Sequence, residues 1–222
     1  MDLNSAILAP SAGNEPPQLF SPYQRFLNKG VASYSLQHQF NVSSSYQLPF
    51  GSGQRFGSGA SGLVDRLIGG WQLNGIVAWQ GGFPFTPLSG SNTSGTGDTS
   101  VSDTPNWNPD FKGPVILGTA DHWFDPRAFL LPTQGTFGNV SRGSLRGPGL
   151  VNVDTSLFKN IRISERWKLQ FRAEVFNLFN HSNFQYPIEI VFSGTEISSS
   201  AGAIRTTATS SRQIQFALKL LF

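Results

Sequence analysis

The feature that most limits how this chain can fold is the alternation of apolar and polar side chains over residues 212–222. One parity carries only large apolar residues, namely Ile214, Phe216, Leu218, Leu220 and Phe222. The other parity carries Gln213, Gln215 and Lys219. Because successive side chains of a strand point to opposite faces, this pattern predicts a β-strand with one apolar face. Chain ends are usually polar and frayed, so an apolar strand that stops on an aromatic residue is unusual for a protein in water.

Four more segments show the same period. They are residues 39–48, 71–80, 151–163 and 167–175, of which the third is the least regular because Phe158 and Lys159 break its alternation. The polar parity is rich in Gln, Asn, Ser and charged residues, which suits a wet lumen, whereas the apolar parity suits lipid. We therefore predict an all-β fold, an antiparallel transmembrane β-barrel segment of about five or six strands with long extracellular loops. A soluble β-sandwich alternates in the same way and is the alternative.

Aromatic residues near the predicted strand ends favour the membrane. Trp71 and Trp79 share one strand and one parity, and a rise of about 3.3 Å per residue separates them by roughly 26 Å. Allowing for strand tilt, this distance spans most of the roughly 25 Å apolar band between the two aromatic girdles of such a barrel. We predict that the girdles are formed by Tyr46, Trp71, Trp79 and Trp167.

The lengths of the connections predict which end of the strands faces the periplasm. If Phe222 lies at the periplasmic end, residues 164–165 form a tight periplasmic turn. The long connections 86–150 and 179–211 then lie outside the cell. Short periplasmic turns and long outer loops are the rule for these barrels. Residues 51–68 do not fit this rule, because they are long for a periplasmic turn.

Composition excludes several other classes of protein. The chain has 222 residues, 13% charged residues, no cysteine and a net charge of +3. It has no apolar run of about 18 residues, which excludes a transmembrane helix, and no thiol for a disulfide or a thiolate metal site. Lys and Arg are scattered, so nucleic acid is not an expected partner. Residues 1–10 do not resemble a signal peptide, and we expect the chain to be a fragment of a longer exported protein.

No motif predicts catalysis, a cofactor or a metal site. Residues 57–62 match G-x-G-x-x-G, but the buried strand, the helix and the acidic residue of a dinucleotide site are missing, so a flexible Gly/Ser turn is expected. A calcium site is conceivable among the loop aspartates, but they lack EF-hand spacing and a solvated loop is favoured; they are Asp98, Asp103, Asp110, Asp121 and Asp125. No histidine has a catalytic partner at a suggestive spacing, and an enzyme is not expected; the histidines are His38, His122 and His181.

Two further features bear on the lumen and the long loop. On the polar parity, Asp154, Arg172 and Glu174 are placed to form a cross-strand charge ladder, which we expect to be structural rather than a proton relay or ligand site. The long loop contains Trp107, Trp123, Phe124, Phe129 and Phe137. Disordered loops are poor in aromatic residues. We therefore expect this loop to pack on itself or to fold into the barrel mouth, where it can touch a ligand.

Several short motifs, taken together, resemble one family. They are L-P-F-G at 48–51, G-G-W-Q-L at 69–73, G-F-P-F-T at 82–86, W-F-D-P at 123–126, G-T-F-G-N at 135–139, R-G-P-G at 146–149, D-T-S-L-F-K-N at 154–160, F-R-A-E-V-F-N-L-F-N-H at 171–181 and R-Q-I-Q-F-A-L-K at 212–219. Over residues 31–222 the chain resembles the carboxy-terminal region of TonB-dependent outer-membrane receptors. The most similar group is the Oar-like receptors, which carry a carboxypeptidase-regulatory-like domain.

The resemblance implies a barrel of about 22 strands filled by a plug, with energised uptake of an unidentified extracellular substrate through TonB. It divides the chain into a poorly defined, extracellular loop-like segment, 1–30, and a barrel portion, 31–222. The portion alone is not expected to transport, because the unpaired edges of an open sheet cannot face lipid.

The resemblance also implies partners and a localisation. The chain is expected in the outer membrane of a Gram-negative cell, in contact with its lipid and with the barrel-assembly machinery. The implied assembly signal is the apolar parity Ile214, Phe216, Leu218, Leu220 and Phe222. TonB is expected to bind the full-length receptor through a region outside this chain. The alternative function is a soluble all-β module that binds glycans through its loop aromatics.

Overall fold

The computed structural model describes residues 29–97 and 103–222. Residues 1–28 of the expected segment 1–30, and the candidate calcium ligand Asp98, therefore lie outside the described residues. The chain divides into two compact units. The strand unit comprises residues 39–80, 151–182 and 209–222, and the loop unit comprises residues 1–38, 81–150 and 183–208.

Strands dominate the described residues, in keeping with the aromatic and β-branched side chains that alternate in them. In chain order the strands are β1 (Gln39–Gln47), β2 (Trp71–Gln80), β3 (Pro84–Phe85), β4 (Asn106–Trp107), β5 (Phe129–Leu130), β6 (Leu145–Arg146), β7 (Leu150–Arg162), β8 (Lys168–Phe176), β9 (Phe192–Ser193), β10 (Glu196–Ile197) and β11 (Gln213–Leu221). The helical elements of this part of the chain are α1 (Gly62–Ile68) and a 3₁₀ turn at Pro126–Ala128. Neither is long and apolar enough to cross a membrane.

The long strands of the strand unit form a single sheet in the order β1-β2-β7-β8-β11. The pairs β1–β2, β7–β8 and β8–β11 are antiparallel. These are the strands that the alternation predicts, with bounds that differ only slightly, so the prediction of an all-β antiparallel fold is confirmed.

The register of the sheet places like residues together on each face. Phe40 pairs with Trp79 on one face, and Gln47 pairs with Gln72 on the other. A slip of one residue would send every side chain to the opposite face. The strand unit therefore has one apolar face and one polar face, as the sequence predicts.

The two residues that break the alternation of β7 each form a cation–π contact. Phe158 lies on the polar face opposite Arg172, whose guanidinium carbon is 4.6 Å from the centre of the phenyl ring. Lys159 lies on the apolar face, with its ammonium group 4.9 Å from the centre of the Trp71 ring. The same ammonium donates to the carbonyl of Leu67 at 3.0 Å. Each exception to the pattern thus has a partner that compensates for its position.

The connection between β1 and β2, which the sequence marks as long for a periplasmic turn, is a folded turn followed by α1. Gly57 and Gly62 adopt φ values of 77° and 60°, a conformation that side chains with a Cβ rarely adopt. The carboxylate of Asp65 accepts a hydrogen bond from the backbone N–H of Ser52 and fastens α1 to the start of the connection. The expected Gly/Ser turn at 57–62 is confirmed.

The loop unit has a hydrophobic core of its own, contributed by segments that are far apart in the sequence. Its buried members are Phe85, Phe124, Ala128, Phe129, Val140, Leu145, Val191 and Phe192. Trp107 and Trp123 pack against this core, whereas Phe137 is half-buried outside it. The expectation that the long loop packs on itself is confirmed.

Candidate functional site

The apolar face of the strand unit is exposed to an extent that water does not favour. On β11, the exposed fractions are 60% for Ile214, 68% for Phe216 and 67% for Leu218, and Leu220 and Phe222 are also exposed. Moving one such side chain out of water contributes about 1.5–3 kcal/mol, so this strand alone favours an apolar surrounding by roughly 10 kcal/mol. The predicted assembly-signal residues therefore share one exposed apolar face, and their recognition by the assembly machinery stays a prediction.

Aromatic residues lie at both ends of this face. At one end the rings of Trp167 and Phe222 are 5.5 Å apart. Tyr46 and Trp71 lie toward that same end, since Tyr46 pairs with Leu73 near the start of β2. Trp79 lies at the opposite end of β2 and is paired with Phe40, as described above. The four predicted girdle residues thus occupy two levels on one face of the sheet.

The predicted lumen residues Asp154, Arg172 and Glu174 lie on the polar side of the strand unit, but the described contacts do not join them. Arg172 donates to the side-chain oxygen of Gln170 at 2.7 Å. Asp154 accepts from the backbone N–H of Asn177 at 2.8 Å. Within the described residues no ion pair connects the three charges, so the ladder is a set of separate polar contacts.

A small cavity opens along the polar side of the same sheet. Its volume is about 160 Å³, and it is lined by residues of β2, β7 and β8 that include Asn74, Ser156 and Glu174. The amide of Asn74 donates to the Ser156 hydroxyl at 3.2 Å. A cavity of this size and chemistry suits a few water molecules, as expected for a wall that faces a wet lumen.

In the loop unit, the segment Trp123–Arg127 is held by polar contacts as well as by the core. The indole N–H of Trp123 donates to the carbonyl of Arg146 at 2.8 Å. The Asp125 carboxylate accepts from the backbone N–H of Arg127 at 3.0 Å and pairs with its guanidinium at 2.7 Å. The Arg127 guanidinium holds the pKa of Asp125 below its usual value, and the carboxylate in turn raises the pKa of Arg127. Asp125 therefore remains charged at neutral pH and caps the 3₁₀ turn.

The remaining loop aspartates do not assemble into a metal site within the described residues. The Asp103 carboxylate accepts from the backbone N–H of Ser94 at 2.7 Å and from the hydroxyl of Thr93 at 3.2 Å. No group of three or more His, Cys, Asp or Glu side chains in residues 29–97 and 103–222 is placed to hold a metal ion. Asp103 and Asp125 are thus engaged in organising turns.

An antiparallel sheet with one exposed apolar face, aromatic residues at both ends of that face and a polar opposite face is the wall of a membrane-spanning β-barrel. A family model described as outer membrane beta barrel domain matches residues 3–215, and the chain belongs to this family. The protein is accordingly an outer-membrane protein, which favours the barrel over the soluble glycan-binding module. No curated protein and no solved structure matches the chain.

The sequence reasoning missed several residues that shape this molecule. It gave no role to Arg146, whose guanidinium donates to the carbonyls of Ser35 at 3.2 Å and Gly82 at 3.0 Å. It also missed the capping pair of Asp125 and Arg127, although an Asp directly before a Pro is a recognised signal for the start of a helical turn. No short-range signal points to Arg146, because its partners lie in distant segments.

Proposed function

We propose that the chain is the barrel portion of a TonB-dependent outer-membrane receptor of the Oar-like type, which takes up an extracellular substrate with energy supplied through TonB. The observation that carries this proposal is the loop unit, in which the long connections fold around an aromatic core. A general pore needs no such folded outer body. A receptor does, because a preorganised surface loses less entropy when it binds a specific ligand.

The motifs that resemble these receptors are structural parts of the loop unit, which supports the proposal. Trp123 of W-F-D-P is hydrogen-bonded to Arg146 of R-G-P-G. Gly82 of G-F-P-F-T lies so close to Gly147 that a Cβ would come within 1.8 Å of its carbonyl oxygen. These motifs therefore determine how the loop unit folds, so the resemblance extends to its architecture rather than to composition alone.

The proposal assigns a partner to each part of the chain. Outer-membrane lipid covers the apolar face, and the barrel-assembly machinery recognises the apolar parity of β11. The substrate binds from outside the cell, and TonB binds the full receptor outside this stretch. The chain carries out no catalysis in this scheme.

The test uses the full receptor isolated from outer membranes. A plugged receptor is expected to bind the periplasmic domain of TonB and to show no steady conductance in a planar bilayer bathed in potassium chloride. An open pore would conduct immediately and would not bind TonB. That pair of results would contradict the proposal and leave the family assignment intact.

Orientation is tested by epitopes inserted at two exposed glycines. Gly135 belongs to the loop unit and Gly53 to the connection between β1 and β2, and a Cβ at either position would meet nothing within 4 Å. In intact cells an antibody is expected to bind the epitope at Gly135 only. Binding at Gly53 without permeabilisation would mean that the sheet has the opposite orientation.

A further inference from the structure

The connection between β1 and β2, residues 48–70, exposes several large apolar side chains. The exposed fraction is 76% for Leu63 and 71% for Leu67. The other members of the set are Phe50, Phe56 and Val64. A turn that dips only into water would gain nothing from this composition, since each such side chain favours an apolar surrounding by about 1.5–3 kcal/mol.

Three of these side chains share one side of α1. Leu63, Val64 and Leu67 lie within an arc of about 100° on the helix, the width of a typical apolar stripe. Ile68 points away from the stripe and packs close to Gly57. The carboxylate of Asp65 is turned toward Ser52, as described above. The stripe is therefore the side of α1 that its own connection leaves uncovered.

The carboxyl end of α1 is fastened to the apolar face of the sheet. The indole N–H of Trp71 donates to the carbonyl of Leu67 at 3.0 Å. The Lys159 ammonium donates to the carbonyls of Leu67 and Gly69. Since Trp71 and Lys159 both lie on the lipid-facing side, α1 adjoins the surface that lipid already covers.

The charges of the connection suit a phospholipid interface. Arg55 lies with its guanidinium carbon 5.5 Å from the centre of the Phe56 ring, and Arg66 follows the apolar stripe within α1. Trp beside Lys or Arg is the combination that settles at the boundary between headgroups and acyl chains. Lipid phosphates are the anions that these cations meet at this depth.

We infer that α1 and its connection form an interfacial anchor that binds the phospholipids of the periplasmic leaflet. The stripe of α1 enters the headgroup–acyl boundary to a depth of about 5–10 Å, as amphipathic helices do. Lys159 and Trp71 hold the helix at that depth. The anchor rests on the orientation proposed above, which places this connection on the periplasmic side.

The test measures how deeply single positions enter the bilayer. The chain contains no cysteine, so Leu63→Cys and Leu67→Cys variants of the full receptor can each carry one fluorophore in this stretch. The receptor is reconstituted into vesicles of phosphatidylethanolamine and phosphatidylglycerol that contain brominated lipids. Gly59→Cys serves as the aqueous control, because nothing lies within 4 Å of a Cβ there. Phe216→Cys serves as the deep control.

We expect quenching at positions 63 and 67 by lipids brominated near the headgroup, deep quenching at 216 and none at 59. Water-exposed labels at 63 and 67, together with quenching at 216, would overturn the anchor and leave the proposed receptor function standing. Labels at 63 and 67 that are shielded from water and lipid alike would also overturn it, since a protein would then cover α1. Because the labelled side chains are exposed, the substitutions should not disturb folding, and heat-modifiable gel mobility checks this for each variant.

Discussion

Leu218→Arg should destabilise the protein severely if the apolar face of β11 lies in lipid. Leu218 is near the middle of the strand, is 67% exposed and pairs with Phe171. An Arg at the bilayer midplane costs about 2–4 kcal/mol, and loss of the buried Leu removes a further 1.5–3 kcal/mol or about that. The expected loss of folding free energy is therefore on the order of 5 kcal/mol.

The matched control is Gln215→Arg on the same strand. Gln215 lies on the polar face opposite Glu174, so an Arg there gains an opposite charge and should change stability by no more than about 1 kcal/mol. The assay is urea-dependent folding of the full receptor into phospholipid vesicles, followed by heat-modifiable gel mobility. If both variants fold equally well, water rather than lipid surrounds Leu218, and the assignment of the apolar face is wrong.

Three other substitutions test separate parts of the structure. Lys159→Met removes the donor that binds the end of α1, so trypsin should cut the connection between β1 and β2 faster while the sheet stays folded. Because Arg127 lowers the pKa of Asp125 in the folded state, the stabilising contribution of this carboxylate is complete above its usual pKa of 3.8 and is lost as the pH falls through the lowered value. The near-ultraviolet circular dichroism of the loop unit should show this acid transition, and Asp125→Asn should abolish it. Gly82→Ala places a methyl group against a backbone carbonyl, which should cost about 1–3 kcal/mol or more and disrupt the loop unit. Gly59→Ala, in open space, should be neutral; an equal effect of both alanines would refute the packing.

The sheet could be predicted from the sequence because its information is local. Alternation with a period of two fixes which side chains share a face, and the register follows because the apolar residues of neighbouring strands must meet. Phe158 and Lys159 were visible as exceptions, but their partners were not. Arg172 and Trp71 lie on neighbouring strands, so the cation–π contacts depend on a register that no single segment contains.

The loop unit and α1 could be predicted only in part. The aromatic content of residues 86–150 indicated that the loop packs, but its core also includes Val191 and Phe192 from another connection. No periodic pattern links such segments. α1 was missed because seven residues following a glycine-rich turn carry too weak a helical signal, and because its apolar residues serve an exposed surface rather than a core.

The most direct test of the central claim is a nitroxide scan of β11 in the full receptor reconstituted into phospholipid vesicles. Each residue from Ile214 to Leu220 is replaced in turn by a spin-labelled cysteine, and its accessibility to oxygen and to a water-soluble nickel complex is measured. We predict a period of two, with oxygen accessibility high at Ile214, Phe216, Leu218 and Leu220 and nickel accessibility high at Gln215 and Lys219. Uniform access of the nickel complex to both parities would contradict the membrane-spanning sheet.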